Sequence, residues 1–384
     1  MDIGPRIKLA RAKAGLSVRE LAERVGVSAT AISKFERGEA SPRQSTLLRL
    51  AKALSVGVEY FFREVKVETL NPAYRKHSKL GKRLQEAIEA TIVEAVERHL
   101  LVEELFPKGF FPESKLPSFP ITSVDEAERA ADELRRQWKL GSDPIEDLCG
   151  RLENRGIKVI AIDAPKGFDG FSCWVNGQIP VIAYNVNAPG DRQRFNLAHE
   201  LGHLVLDADP PVDVEKAAHR FAGAFLVPAE AVHVELGRKR SDLSLDELLL
   251  LKNEYGVSIQ AWIRRAFDLE IIDRDTYNTL FRRLSQRGWR TEEPGSVSLE
   301  KPRRLRLLIH QALAERLITP SYAATLLHGG SRTVKPKPKE FPQPKDDLVR
   351  EYMENRELTA FEDVDLEDFH EYEDRQGTSL ESQS

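Results

Sequence analysis

The segment His199-Glu-Leu-Gly-His203 restricts how this chain can fold more than any other feature of its sequence. Residues four apart lie on one face of an α-helix, so a helix here would let His199 and His203 bind one metal ion together. Glu200 would lie beside them, where its carboxylate can accept a proton from a water molecule on the metal. Two core or surface histidines that share this spacing by chance are the alternative. Gly202 costs a helix about 1 kcal/mol relative to Ala, which predicts that another backbone approaches it closely.

A third protein ligand is expected, because catalytic zinc normally takes three and leaves one position for water. A second helix is predicted over 215–228, and it places Glu215 and His219 one turn apart on one face. Either side chain could reach the metal. We favour Glu215 as the ligand and His219 as a neighbour that orients it or contacts the reacting carbonyl. A solvated Glu215 that only stabilises the helix dipole is the alternative. Three acids of the preceding Pro-rich loop are further candidate ligands, although helix capping explains them better: Asp207, Asp209 and Asp213.

Short apolar runs before the motif predict a small sheet. The predicted strands are 158–162, 171–175 and 180–184, with Asn176-Gly177 as a hairpin turn. The strand 180–184 could bind an extended peptide along its edge. Tyr184 at its end is predicted to be a core or rim residue, although its hydroxyl could also stabilise an oxyanion.

Two segments of this region resemble the ImmA/IrrE metallopeptidases: residues 194–206, which contain the His-Glu-x-x-His motif, and residues 221–228, Phe-Ala-Gly-Ala-Phe-Leu-Val-Pro. The resemblance covers residues 123–270. It implies a minimal zinc-peptidase fold with His199, His203 and Glu215 as ligands and Glu200 as the base. It also implies a repressor-type protein substrate, since family members of known activity cut bacterial repressors. The family usually has Asn where this chain has His219, a departure that affects the transition-state contact or the ligand set.

Residues 4–62 predict five short helices separated by tight turns. Ser17 with Glu20 three residues on is a capping box, Gly26 provides a sharp turn, and Ser28 caps the third helix. The segment 16–38 resembles the lambda-repressor-like (Cro/XRE) helix-turn-helix, and this resemblance spans residues 4–64. It implies that the helix over 28–37 enters the major groove of DNA.

That docking geometry assigns base contacts to Ala29, Thr30 and Lys34. Four further residues are candidates for phosphate contacts: Arg19, Ser28, Ser33 and Arg43. The family often has Gln where Val18 stands, which removes one phosphate contact. Such domains act on paired half-sites, so we expect a homodimer on a double-stranded DNA operator. A protein-interaction module with an ordinary charged surface is the alternative.

Charge is distributed unevenly along the chain. Residues 1–64 carry twelve Lys and Arg against seven Asp and Glu, whereas residues 345–384 carry four against fourteen. A basic segment fits a polyanionic partner. The two cysteines, Cys149 and Cys173, are too few for a disulfide framework, and we find neither a signal peptide nor an apolar run of membrane-spanning length. We therefore expect a cytoplasmic protein that makes no membrane contact.

These patterns together predict a mainly α fold of the α+β class. It comprises a five-helix DNA-binding domain, a zincin-like α+β domain with a small sheet, a helical C-terminal extension and a disordered acidic tail. The predicted limits are 1–66 for the helix-turn-helix domain, 67–122 for a helical connector and Pro/Phe-rich linker, 123–270 for the zinc metallopeptidase domain, 271–330 for the helical C-terminal region and 331–384 for a linker and the tail.

The favoured function is a DNA-binding regulator whose zinc domain cleaves a repressor, an antitoxin-like partner or itself. One alternative is a transcription factor whose metal domain senses a ligand or stress and cleaves nothing; another is an antitoxin. Glu200 favours proteolysis, because a pure sensor has no need of a general base beside the metal.

Overall fold

The computed structural model describes residues 2–73, 80–107, 109–111 and 115–328. Within these ranges the chain is mainly helical with two small sheets, which confirms the predicted fold class. The linker predicted at 331–344 and the acidic tail predicted at 345–384 lie outside the described residues. No helix in the described ranges combines the length and the apolarity that crossing a bilayer requires.

Residues 4–62 form the five helices that the sequence predicts. They are α1 Gly4–Lys13, α2 Val18–Val25, α3 Ala29–Glu36, α4 Gln44–Ala53 and a 3₁₀ helix at Val58–Phe62. The predicted capping box starts α2: Ser17 Oγ accepts from the Glu20 N–H, and the Glu20 carboxylate accepts from the Ser17 N–H. Gly26 ends α2 with a φ of 70°, a left-handed conformation that favours glycine. Ser28 caps α3 by accepting a backbone N–H of its first turn.

The described residues contain six strands: β1 Leu70–Pro72, β2 Phe119–Ile121, β3 Lys158–Ile162, β4 Gly170–Val175, β5 Ile179–Asn185 and β6 Leu206–Ala208. The larger sheet has the order β1-β4-β5-β3, with β5 antiparallel to β4 and parallel to β3. The predicted turn at Asn176-Gly177 joins β4 to β5, and both residues have the positive φ angles, 50° and 70°, that this turn requires.

The expectation that strand 180–184 binds a peptide along its edge is wrong. These residues lie in β5, which is hydrogen-bonded to β3 on one side and to β4 on the other. Its backbone groups are therefore already used within the sheet. The three predicted strands have similar apolar patterns, and such patterns do not reveal which strand is central.

Residues of the predicted connector take part in the larger sheet. β1 pairs antiparallel with β4. A helix, α5 Lys82–Glu103, packs on one face of the sheet, where its residues Ile92 and Val96 share a core with Ile160 and Cys173. β2 pairs in parallel with β6, which directly follows the metal-motif helix. The sequence did not predict β1 and β2, because three residues are too few to show a strand period.

Ten helices follow α5 in the described residues: α6 Glu126–Trp138, α7 Leu148–Glu153, α8 Gly190–Val205, α9 Val214–Leu226, α10 Ala229–Leu236, α11 Leu245–Tyr255, α12 Ile259–Asp268, α13 Arg274–Gln286, α14 Arg304–Ala314 and α15 Pro320–His328. α8 and α9 share the largest apolar core with Ile182 and Tyr184 of β5. Alternate residues of a strand point to opposite faces, and Val181 and Ala183 lie in the core with α5. The sheet therefore separates α5 from α8 and α9.

The helix-turn-helix unit contacts the rest of the chain through α1 and α5. Arg6 on α1 and Glu97 on α5 form an ion pair with their side chains 3% and 8% exposed, and Nη1 lies 2.5 Å from Oε2. Lys13 of α1 also pairs with Glu94 of α5, and Tyr60 donates to the same glutamate at 2.8 Å. At the other end of α5, Val102 shares a small core with α14 and α15. α5 is therefore in contact with both ends of the described chain and with the sheet.

Candidate metal centre and nucleic-acid interface

The metal motif lies in the last two turns of α8, a helix that is buried along most of its length. Leu197, Ala198 and Leu201 are inaccessible to solvent and hold one side of α8 in the core. His199 and His203 point away from that side onto a common face, as positions i and i+4 require. His199 is half-buried and His203 is buried, so the site has one partly open side.

Three side chains place potential ligand atoms around one point. The Nε2 atoms of His199 and His203 lie 3.0 Å apart. Glu215 of α9 brings its Oε1 to 3.5 Å from the His203 Nε2 and its Oε2 to 3.9 Å from the His199 Nε2. A tetrahedral ion with ligand bonds of about 2.0–2.1 Å needs ligand atoms about 3.3 Å apart. The spacing of these nitrogen and oxygen donors therefore fits a single divalent ion.

The acids of the preceding loop lie outside this triad. Within the described residues, the group that could hold a metal consists of His199, His203 and Glu215. Asp213 instead caps α9, as its Oδ1 accepts from the Lys216 N–H at 3.1 Å, and this capping role was predicted. Asp207 and Asp209 are exposed.

Gly202 lies at the contact between α8 and α9. A β-carbon there would lie 3.3 Å from the Ala218 Cα and 3.1 Å from a ring carbon of Phe221. The predicted close approach of another backbone is therefore confirmed. It brings α9, and with it Glu215, within reach of the two histidines.

Glu200 is buried and faces β4 of the sheet. Its Oε2 accepts a hydrogen bond from the Ser172 hydroxyl at 2.6 Å. Gly170, two residues earlier on β4, lies so close that a β-carbon there would be 2.9 Å from the Glu200 Cγ and Oε1. Sequence reasoning did not identify either β4 residue. The available signal is a glycine directly before the predicted strand 171–175, since a glycine in a strand often marks a close approach.

His219 lies beside the triad on the exposed side of the site. Its ring centroid is 4.5 Å from that of His199 and 5.7 Å from that of Phe195, against which it stacks. This exposed imidazole therefore lies next to the candidate ligand His199.

Tyr184 and Cys173, which lie in strands of the larger sheet, have structural roles. Tyr184 is 1% exposed and donates its hydroxyl to the Glu300 carbonyl at 2.6 Å. Burial raises the pKa of this phenol far above its usual value, so Tyr184 is the core residue of the two predicted alternatives. Burial, followed by the charges of Glu200 and Glu89, raises the pKa of Cys173 to about 12. Its thiol therefore stays protonated at neutral pH and offers no thiolate to a metal.

The residues predicted to contact DNA differ in their exposure. Thr30 and Lys34 lie one turn apart on the exposed side of α3, whereas Ala29 and Ser33 of the same helix are half-buried. Ser28 is exposed, and its hydroxyl caps α3. Arg19 at the start of α2 and Arg43 just before α4 are also exposed. The exposed members therefore come from three neighbouring segments of the helix-turn-helix unit.

Comparison with known proteins finds a family match for two segments of the chain. Residues 152–267 match the IrrE N-terminal-like domain, a peptidase family, and residues 7–61 match the helix-turn-helix family. The HTH-type transcriptional regulator ImmR of Bacillus subtilis (strain 168) is 33% identical over 89 residues, which are 23% of this chain and 67% of that protein. An uncharacterized transcriptional regulator in the ATPase CF(0) region of Rhodospirillum rubrum is 40% identical over 63 residues, 16% of this chain and 58% of that protein. The peptidase match includes the complete triad, and the helix-turn-helix match includes α3.

Proposed function

Because this chain belongs to the helix-turn-helix transcriptional regulators and carries a peptidase domain of the ImmA/IrrE type, we propose that it is a DNA-bound regulator whose zinc-dependent endopeptidase domain cleaves a repressor-type protein. The observation that carries the proposal is the convergence of His199, His203 and Glu215, together with the buried carboxylate of Glu200, the residue that follows His199 on α8. A triad alone serves a structural or sensing site equally well. A carboxylate beside it supplies the base that hydrolysis needs.

The proposed chemistry assigns one task to each side chain. His199, His203 and Glu215 would hold the zinc ion, which polarises a carbonyl and lowers the pKa of bound water toward neutrality. Glu200 accepts the proton of the attacking water at its carboxylate. We assign to His219, whose ring lies beside that of His199, the contact with the carbonyl oxygen of the peptide as negative charge develops on it.

In the DNA-binding domain, we propose α3 as the recognition helix. Thr30 and Lys34 are exposed on it and are assigned to base edges together with Ala29, a half-buried methyl suited to thymine. Arg19, Ser28, Ser33 and Arg43 are assigned to the phosphates.

We further propose that the regulator is a homodimer in the cytoplasm. Paired half-sites require two copies of α3. Three apolar side chains in α4 and the segment after it are exposed and could lie between the two copies: Leu48 at 55%, Phe62 at 48% and Val65 at 38%. The free, buried thiols of Cys149 and Cys173 fit a reducing compartment.

Replacement of Glu200 by Gln tests the proteolytic function. The change removes the base and retains the shape of the side chain and the three metal ligands. We expect cleavage of co-expressed repressor-type proteins to fall by at least about a hundredfold, with one zinc ion still bound per chain. Mass spectrometry of the co-expressed proteins and metal analysis of the purified regulator measure the two quantities.

A matched variant, Glu133→Gln, removes a half-buried carboxylate that pairs with the exposed Arg136 on α6. It should cleave like the wild type. If wild type and Glu200→Gln leave the same proteins intact and control genes alike, the peptidase assignment is wrong, and a sensor of metal or ligand replaces it.

A further inference from the structure

Strand β4 presents two small residues to the base of the metal centre. We propose that Ser172 is a positioning residue, which together with Gly170 holds the Glu200 carboxylate in the orientation for proton transfer. This inference rests on the proposed peptidase function, since it assigns a task to the surroundings of the same base. Neither residue belongs to the metal triad.

The hydroxyl of Ser172 makes a short, buried hydrogen bond. Ser172 is 2% exposed, and its Oγ lies 2.6 Å from the Glu200 Oε2. The serine hydroxyl is the donor and the carboxylate oxygen the acceptor. The distance falls in the range of about 2.5–2.7 Å for a hydroxyl that donates to a charged oxygen. One carboxylate oxygen is thereby held, and rotation of the group is restricted.

Gly170 limits the position of the carboxylate from a second direction. A β-carbon at this position would lie 2.9 Å from both the Cγ and the Oε1 of Glu200 and 3.2 Å from its Cδ. The glutamate occupies space that every other residue type at position 170 would fill. The carboxylate is thus held by a donor at Oε2 and by backbone packing near Oε1.

The backbone of Ser172 is itself held on both sides. Ser172 is paired with Ile182 of β5, and its carbonyl accepts from the Ala73 N–H at 3.0 Å just beyond β1. The segment that leads into β1 is fixed by Asn176, whose side chain bonds the backbone of Lys66, Glu68 and Thr69. The chain that leaves the helix-turn-helix unit therefore supports the strand that holds the base.

Four variants of the full chain separate positioning from general stability. Ser172→Ala removes the hydroxyl, Ser172→Thr retains it, and Gly170→Ala displaces the carboxylate while the hydroxyl stays. Ser258→Ala is the matched control, because this serine caps α12 by accepting from the Ala261 N–H at 3.2 Å and has no contact with the site. All four are prepared with zinc and assayed on the protein whose cleavage Glu200→Gln abolishes.

The expected result is a loss in kcat with little change in KM. Ser172→Ala and Gly170→Ala should lower kcat by about 10- to 100-fold and leave KM within about twofold, since the base is misplaced and the binding surface is retained. Ser172→Thr should stay within about threefold of wild type, and Ser258→Ala should retain its kcat. A Ser172→Ala kcat equal to that of wild type would overturn the proposal, as would an equal loss in Ser172→Thr.

A second measurement does not depend on a substrate. With Co²⁺ alone added to the metal-free proteins, the visible absorption band reports the surroundings of the metal. We expect the spectrum of Ser172→Ala to move toward that of Glu200→Gln, and the spectrum of Ser172→Thr to match that of wild type. A Ser172→Ala spectrum identical to that of wild type contradicts the positioning role. If wild type cleaves nothing, the proposed function fails, while the cobalt spectra still decide whether Ser172 holds Glu200.

Discussion

Residues two positions apart on α8 contact different elements of the fold, and each contact restricts the residue type that its position accepts. Glu200 faces the hydroxyl of Ser172, whereas Gly202 faces α9 with room for a hydrogen atom and little more. The motif spacing predicts that the two histidines share one face, and the glycine at position 202 predicts the close approach of another backbone. The partner of Glu200 has no such sequence signal, because Ser172 lies 28 residues away on another element.

Gly202→Val tests the close approach of α8 and α9. The added side chain meets the Ala218 Cα and the Phe221 ring, so we expect the free energy of unfolding to fall by about 2–3 kcal/mol and zinc affinity to drop as Glu215 moves away. Urea denaturation and competition with a zinc chelator measure the two effects. Gly81→Val is the control, since a β-carbon there meets no atom within 4 Å. Equal losses in both variants would contradict the packing argument.

Thr30→Ala combined with Lys34→Ala tests the recognition helix. Both side chains are exposed on α3, so the double variant should fold with a free energy of unfolding within about 0.5 kcal/mol of wild type. Specific operator binding should be lost, because base contacts contribute about 1–3 kcal/mol each. DNase footprinting measures the binding. An unchanged footprint would remove α3 from the interface.

Among the elements, α5 contacts parts of the chain that lie far apart in sequence. It contacts α1, packs on the sheet beside β3, and ends in a small core with α14 and α15. The sequence predicts a helical connector in this part of the chain, and α5 is the helix found there. The limits 67–122 for the connector stay a prediction. β1 and α5 lie within these limits, and both pack with strands of the predicted peptidase domain.

His99 on α5 should make stability depend on pH. Burial, and then the charges of Lys158 and Arg98, lower the pKa of this imidazole to about 3 in the folded state. In the unfolded chain the pKa is about 6.5, so between these values the unfolded state binds more protons and stability falls as pH falls. From pH 7 to pH 5 this residue alone should cost about 2 kcal/mol.

The measurement compares wild type with His99→Leu, which has no proton to gain at this position. Urea midpoints at pH 7 and pH 5 should fall by less in the variant, and the metal-site histidines cancel because both proteins contain them. A pH dependence that is the same in both proteins would show that His99 does not stay neutral when folded.

At the scale of the whole molecule, a buried contact joins the helix-turn-helix unit to α5. The ion pair of Arg6 and Glu97 is buried, and Glu97 also accepts from the Lys66 N–H at 3.1 Å. Arg6 in turn donates to the carbonyl of Arg63 at 3.2 Å. The helix-turn-helix unit is therefore joined to α5 by side-chain contacts as well as by the chain itself.

Glu97→Gln should weaken this link. Removal of one partner leaves the Arg6 guanidinium buried without a counter-charge, which costs about 3–5 kcal/mol. The exposed pair Arg37–Glu39 is the control, and Glu39→Gln should leave the free energy of unfolding nearly unchanged, because solvent screens this pair. Hydrogen exchange should become faster in α1 of the Glu97 variant before it does so in α8. If exchange in α1 and α8 rises together, the two halves unfold as one unit.

The sequence by itself determined the features that lie within a single helix or turn. The i, i+4 histidines, the capping box at Ser17, the cap at Ser28 and the turn at Asn176-Gly177 each depend on residues a few positions apart, where helix and turn geometry act directly. Tertiary structure alone decided that β5 is central, that β1 joins the sheet, that Ser172 holds Glu200 and that Arg6 meets Glu97 91 residues away. Such contacts follow no local period, because they arise only when distant elements pack to bury their apolar faces.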